Sequence, residues 1–322
     1  MPKYIIVGCL GIDHIILSDG RNMPRQAGGD AYYGAAGAHV WSNDVGIVAV
    51  IPKTYPQGLV DKLQQSGMDI SGIIRNNLKM GLEGTIEYKA DGSRVLGAAR
   101  GVFKFLQDHV PGLLALIGKP YWRKVSPQAD LIPKSYLNAK GVFLASMAYA
   151  NQAECLRLFH ERVKNIILDP PPLMPWIRRG RPPQDLADLS MANFVLPSEQ
   201  EAFEYWGDGI SPDDAAERFF SLGARNIAFK MGERGAKVYL NGQRKAYDVP
   251  IYKTKAVDIT GAGDSFGGGF LVGLAETGDP IKAACYGAVS ASFVVEGFGA
   301  DYALQVTRQQ AEERFEKLFN LA

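Results

Sequence analysis

Asp258-Ile-Thr-Gly-Ala-Gly-Asp264-Ser-Phe-Gly-Gly-Gly-Phe270 is the stretch on which the fold and the chemistry of this chain turn. Gly261 and Gly263 bracket a tight turn. Behind it Phe266, Phe270, Leu271 and Leu274 recur at helical spacing, which predicts a helix from Asp264 to Glu276. Gly267, Gly268 and Gly269 lie inside that helix, where each glycine costs about 1 kcal/mol relative to alanine. Three in succession imply that other backbone or a ligand closely approaches the first turns. A glycine turn opening a helix also presents free N–H groups and the positive end of the helix dipole, a ready site for an anion.

A dinucleotide pyrophosphate is a poor fit for that anion. That fingerprint follows a long buried strand early in a βαβ unit, whereas only Ala256 and Val257 precede Asp258, late in the chain. Asp264 would also aim a carboxylate at the pyrophosphate with no cation to offset it. The same carboxylate makes sense as a base beside a phosphate. The chain has no Gly-x-x-x-x-Gly-Lys-Ser/Thr, which excludes a P-loop nucleotidase.

Upstream, short apolar runs at Tyr4 to Val7, Asp44 to Pro52, Gly141 to Ala145, Asn165 to Leu168, Phe194 to Leu196 and Asn226 to Lys230 read as buried strands. Helical patterns lie among them at Gly58 to Ser66, Gln152 to Lys164, Glu199 to Tyr205 and Asp213 to Leu222. The alternation predicts an α/β fold, a largely parallel sheet covered on both faces. One region breaks the rhythm: between Ile73 and Val102 the Asp91-Gly92 pair sits between alternating segments, a hairpin signal. We expect a single domain over 1–322 with a small β-sheet lid formed by about 12–30 and 73–102. Phe103 to Tyr136 has no clear pattern, and Pro170-Pro171-Pro172 must be a loop.

Composition narrows the function. The net charge of +1 gives no electrostatic reason to bind nucleic acid. Cys9, Cys155 and Cys285 form no pair at metal or redox spacing, and the four histidines show no ligand spacing. No run approaches the roughly 18 apolar residues of a membrane span, and the N-terminal apolar run is too short for a signal peptide. These features predict a cytoplasmic protein with no membrane partner. The 36 glycines in 322 residues, about 11% against a usual 7% or so, call for local explanations.

The stretch from Asp258 to Asp264 resembles the signature of the ribokinase-like (PfkB) family of ATP-dependent sugar and nucleoside kinases. Further motifs agree in order: Gly28-Gly29, Asp169-Pro170 after a strand, Pro197-Ser-Glu-Gln-Glu201, and Lys230-Met-Gly-Glu-Arg-Gly235. The resemblance implies a three-layer ribokinase-like sandwich with a β lid. It implies Asp264 as general base, with the N–H groups of Gly261, Ala262 and Gly263 as the anion hole. Asp13, Gly28, Gly29 and Asp30 would bind the acceptor, with Tyr33 where the family has asparagine. Ser198, Lys230, Gly232, Gly235, Gly297 and Gly299 would bind nucleotide. Glu201 would place Mg²⁺ through water, although Ser198 replaces the expected asparagine. Asp258 and Thr260 match positions that hold a monovalent cation, K⁺, in many members. Arg94 and Arg100 fall where a lid arginine would meet an anionic group, although exposed surface arginines are the simpler reading.

The expected activity is transfer of the γ-phosphoryl of ATP to a hydroxyl of a sugar or sugar derivative such as a sugar acid. A nucleoside kinase is the alternative, and a homodimer through the lid is plausible by resemblance. Two rivals are a non-catalytic ligand sensor, given Tyr33 and Ser198, and a dinucleotide-dependent oxidoreductase.

Overall fold

The computed structural model describes residues 1–90, 94–98, 105–106, 109–172, 186–241, 243 and 245–322. Two sheets organise them. The large one runs β13-β12-β11-β10-β9-β8-β1-β4-β5. Its central strands are β1 (Tyr4–Val7), β4 (Val45–Pro52), β8 (Gly141–Leu144), β9 (Asn165–Leu168), β10 (Phe194–Val195) and β11 (Asn226–Lys230). With the edge strand β5 (Asp69–Asn76) they pair in parallel. These strands read as unbroken apolar runs because both faces are covered, and every residue of β1, β4 and β8 is buried. The antiparallel strands β12 (Ala236–Leu240) and β13 (Ala246–Val249), not anticipated from sequence, extend the far edge.

Helices α1 (Asp30–His39), α7 (Ala262–Thr277), α8 (Pro280–Val294) and α9 (Arg308–Phe319) cover one face with α2 (Gln57–Gln65). Helices α4 (Tyr149–His160), α5 (Glu199–Trp206) and α6 (Pro212–Ser221) cover the other. The sequence had suggested α7, α2 and α4–α6 to within a few residues, but not α1, α8 or α9. The unpatterned segment before Tyr136 contains α3 (Pro111–Val125) and two short 3₁₀ turns. Asp169 to Pro172 is extended loop, as the prolines require.

The close packing of α1 on α7 explains part of the glycine excess. A Cβ on Gly268 would stand 1.9 Å from the Gly34 carbonyl oxygen. Glycine there lets two helix backbones touch, and no ligand is involved.

The small sheet has the order β3-β2-β6-β7, with β2 (Gly11–Ile16), β3 (Asn22–Gly28), β6 (Leu82–Tyr88) and β7 (Arg94–Ala98). Strands β6 and β7 pair antiparallel, Tyr88 opposite Arg94. The Asp91-Gly92 turn between them and Arg100 lie outside the described residues. The expected lid boundaries need correction at two points. Ile73 to Asn76 belong to β5 of the large sheet, paired with Ala49 to Pro52. Asp30 starts α1 and is not the end of a strand. The first follows from the parallel pairing with β4, which takes these residues as the edge strand of the large sheet.

Candidate active site

In open α/β sheets ligands bind at the carboxyl ends of the strands. Here Asp169 follows β9, Ser198 lies three residues past β10, and Lys230 closes β11. These side chains meet the N-termini of α1 and α7 in one cleft of about 2190 Å³. Asp13, Gly29, Asp30, Tyr33, Ser198, Glu201, Lys230, Gly232, Gly235, Thr260 and the whole turn from Gly261 to Asp264 line it. Gly28, Asp258, Gly297 and Gly299 are not on its wall.

Gly261 is the N-cap of α7, with φ +75 in the left-handed region. A Cβ there would stand 2.0 Å from Tyr33 Cγ, so the ring of Tyr33 lies directly against the turn. Asp264 is in the first turn of α7, beside the N–H groups that open it, of which that of Ala262 donates to the Ile259 carbonyl at 3.3 Å. The sequence placed Tyr33 at the acceptor. The structure buries it to 2% exposure with its hydroxyl lacking a hydrogen-bond partner. That hydroxyl is near enough to Asp13 to ease the carboxylate charge, though outside good hydrogen-bond geometry.

Asp13 packs against Gly28, where a Cβ would fall 2.0 Å from Asp13 Oδ2. Burial, then Asp258 and Asp264, push its carboxyl up to about 7. Asp30 is also raised well above the usual carboxylate range, by burial and then by Asp264, Asp169 and Asp13. Lys230 Nζ donates to Asp169 Oδ1 at 2.7 Å and Oδ2 at 2.8 Å. Burial lowers the affinity of that ammonium for its proton, but Asp169, Glu201 and Asp264 more than offset this and raise it. Burial drives the Asp169 carboxyl up while the Lys230 charge pulls it back, and the two short bonds favour the ion pair.

Ser198 is the N-cap of α5 and forms a capping box with Glu201. The Ser198 N–H donates to Glu201 Oε2 at 2.5 Å, and the Glu201 N–H donates to Ser198 Oγ at 3.3 Å. One carboxylate oxygen of Glu201 is thus engaged in the cap while the residue still lines the cleft. Among the described residues no cluster of three or more His, Cys, Asp or Glu could cage a metal. This donor set fits Mg²⁺ carried largely by substrate phosphates and waters, with one carboxylate from the protein.

Asp258 is buried behind the turn. Its Oδ1 accepts from the Thr260 N–H at 3.0 Å and Thr260 Oγ1 at 2.7 Å, while Oδ2 has no partner of good geometry. The Gly299 N–H acts on this carboxylate from close by.

Several lining residues went unread in the sequence. Ala236, Tyr252, Ala288, Ala291 and Val295 form an apolar slot at one end. Tyr121, Trp122, Met80, Leu82 and Ile86 wall the other end, where β2 carries Asp13. Ala288 and Ala291 sit at i and i+3 on α8, and a periodic small-residue face gives no signal separating a ligand slot from helix packing.

Comparison with known proteins gives the class as a phosphotransferase. The chain matches the model of the pfkB family carbohydrate kinases over residues 1–307 and belongs to that family. It is 28% identical to a cytidine kinase of Thermococcus kodakarensis, covering 88% of this chain and 91% of the relative. It is 29% identical to a 2-dehydro-3-deoxygluconokinase of Thermoproteus tenax, covering 69% and 70%. Among solved structures, ribokinase of Thermotoga maritima superposes with a TM-score of 0.69 at 22% identity, over 98% of this chain and 100% of that one. A nucleoside kinase of Burkholderia thailandensis in complex with inosine gives 0.69 at 17% identity, over 98% and 97%. The fold is ribokinase-like, as the sequence resemblance implied. Among the described residues no helix is long and apolar enough to cross a membrane.

Proposed function

We propose that the protein transfers the γ-phosphoryl of ATP to a hydroxyl of a sugar or sugar derivative. The observation that carries this reading is the convergence, in one cleft, of Asp264, the open turn from Gly261 to Gly263 and the acceptor-side carboxylates Asp13 and Asp30. Asp264 takes the proton of the acceptor hydroxyl as its oxygen bonds to the γ-phosphorus. The bond from phosphorus to the bridging oxygen breaks, and that electron pair leaves with ADP. The N–H groups of Gly261, Ala262 and Gly263 meet the charge on the phosphoryl oxygens. Glu201, on the cleft wall, would hold Mg²⁺ through water beside the phosphates, where the ion would supply charge neutralisation. Asp258 Oδ2, buried and unpartnered beside Thr260, supports a monovalent cation behind the turn.

The apolar slot at Ala288 and Ala291 receives the adenine. The small sheet acts as a lid that excludes water from the acceptor and suppresses hydrolysis of ATP. It also offers a surface for a homodimer, which sedimentation would detect.

A nucleoside acceptor is the second reading, supported by Trp122, Tyr121, Met80 and Leu82, which line the same cleft as Asp13. An aromatic and apolar wall of this kind can bury the flat face of a nucleobase. A coupled ADP-release screen over pentoses, hexoses, keto-sugar acids and nucleosides tests the reading. Acceptor-dependent ADP release supports it. ATP binding with no acceptor-dependent turnover across the panel would favour a ligand sensor instead, and binding of NADP but not ATP would point to the oxidoreductase.

A further inference from the structure

Lys230 occupies a position that a nucleotide-binding loop residue does not need. Its backbone is fixed at the end of β11, where the N–H donates to the Pro197 carbonyl at 2.8 Å. The residue is only 9% exposed, yet it lines the cleft. An ammonium has three protons. Asp169 accepts two, at 2.7 and 2.8 Å, so the direction of the third is set by that grip. Nζ lies 3.5 Å from where a Cβ on Gly263 would stand, beside the open turn of α7. Glu201 and Asp264 flank it electrostatically, the one on the metal side and the other the base. A γ-phosphoryl in line with Asp264 and over the turn would place an oxygen next to Nζ.

We propose that Lys230 is a catalytic residue that donates its third N–H to an oxygen of the γ-phosphoryl in flight, and that Asp169 is the positioning residue that aims it. The inference rests on the kinase reading above. Asp169 also offsets the lysine charge, so the ammonium does not simply bind ADP tightly. Its contact strengthens as the phosphoryl leaves, and that difference between ground and transition state accelerates the step. Every heavy-atom bond made and broken is the one already described, and Lys230 keeps its proton throughout.

The test is calorimetric titration of the parent and Lys230→Met with MgADP alone and with MgADP plus aluminium fluoride, which mimics the transferring phosphoryl. The expected result is MgADP affinity within about threefold of the parent, with affinity for the fluoroaluminate complex lower by about 100-fold or more. Equal fluoroaluminate affinity in the two proteins overturns the proposal. So does an equal loss for both ligands, which would assign Lys230 to the diphosphate. A parent that binds neither ligand defeats the kinase reading itself, a distinguishable failure. Should Lys230→Met melt below the titration temperature, the isosteric Asp169→Asn decides. Fluoroaluminate affinity should then fall at least about tenfold with MgADP unchanged, and no fall overturns the proposal.

Discussion

Tyr88 Oη lies 2.7 Å from Thr260 Oγ1, tying the small sheet to the glycine turn across 172 positions of sequence. The direction of the bond follows from Thr260, whose single hydroxyl proton is already given to Asp258 Oδ1 at 2.7 Å. The phenol is therefore the donor, and the order of the turn is linked to the seating of β6. Tyr88→Phe removes that donor while leaving Thr260 bonded to Asp258. The stability loss should be about 1 kcal/mol. The acceptor KM should rise more than the KM for ATP, because the small sheet is on the acceptor side. Steady-state kinetics with each substrate varied, alongside thermal melts, check this. An unchanged acceptor KM would show that the contact does not seat the small sheet.

Asp264→Asn keeps the shape of the first turn of α7 and removes the base. Folding and ATP affinity should be retained, while kcat falls by about 10²–10⁴. Calorimetry for ATP and a coupled assay for ADP separate the two effects. Near-parental kcat would sink the assignment of Asp264.

Two glycines of α7 should respond differently to alanine. At Gly268 the added methyl meets the Gly34 carbonyl oxygen at 1.9 Å, and neither residue lines the cleft. Gly268→Ala should destabilise by about 1–3 kcal/mol, with kcat per folded molecule nearly unchanged. Gly261→Ala forces a left-handed residue, at about 1–2 kcal/mol, and drives the Tyr33 ring from the turn, since Cγ lies at 2.0 Å from the new Cβ. That variant should lose turnover even where it remains folded. Denaturant melts and active-site-normalised kcat distinguish the pair.

Asp13 makes stability depend on pH. Its carboxyl rises from 3.8 to about 7 on folding, with burial the largest cause and Asp258 and Asp264 adding to it. A group raised in the fold stabilises when protonated. Its contribution is complete below about pH 4 and is lost as pH rises to about 7. Asp13→Asn should flatten that slope and melt higher than the parent at pH 8, at roughly 2–4 °C per kcal/mol recovered. The same change should raise the acceptor KM. Thermal melts from pH 4 to 8 test the slope, and parallel curves for the two proteins would count against the shifted Asp13.

The parallel sheet and the glycine turn were legible in the sequence, because both are local. A buried strand shows itself as a run of β-branched residues, and the turn is written in seven consecutive positions from Asp258 to Asp264. The same local logic went astray at Ile73 to Asn76, where two isoleucines ahead of Arg75 and Asn76 fit either sheet and only the pairing with β4 decides. Helices α1 and α8 escaped notice because they are rich in glycine and alanine, and are nearly apolar all round.

Tertiary structure alone decided what each polar residue and each glycine does. Gly263 faces Lys230 in the cleft while Gly268 faces the Gly34 backbone, and nothing in the run of glycines separates the two. Lys230 meets Asp169 61 positions away, and Tyr88 meets Thr260 172 positions away. Spacing along a chain encodes period, cap and turn. The partner of a buried charge is set by which strand ends the sheet order brings together, and that order exists only once the chain has folded.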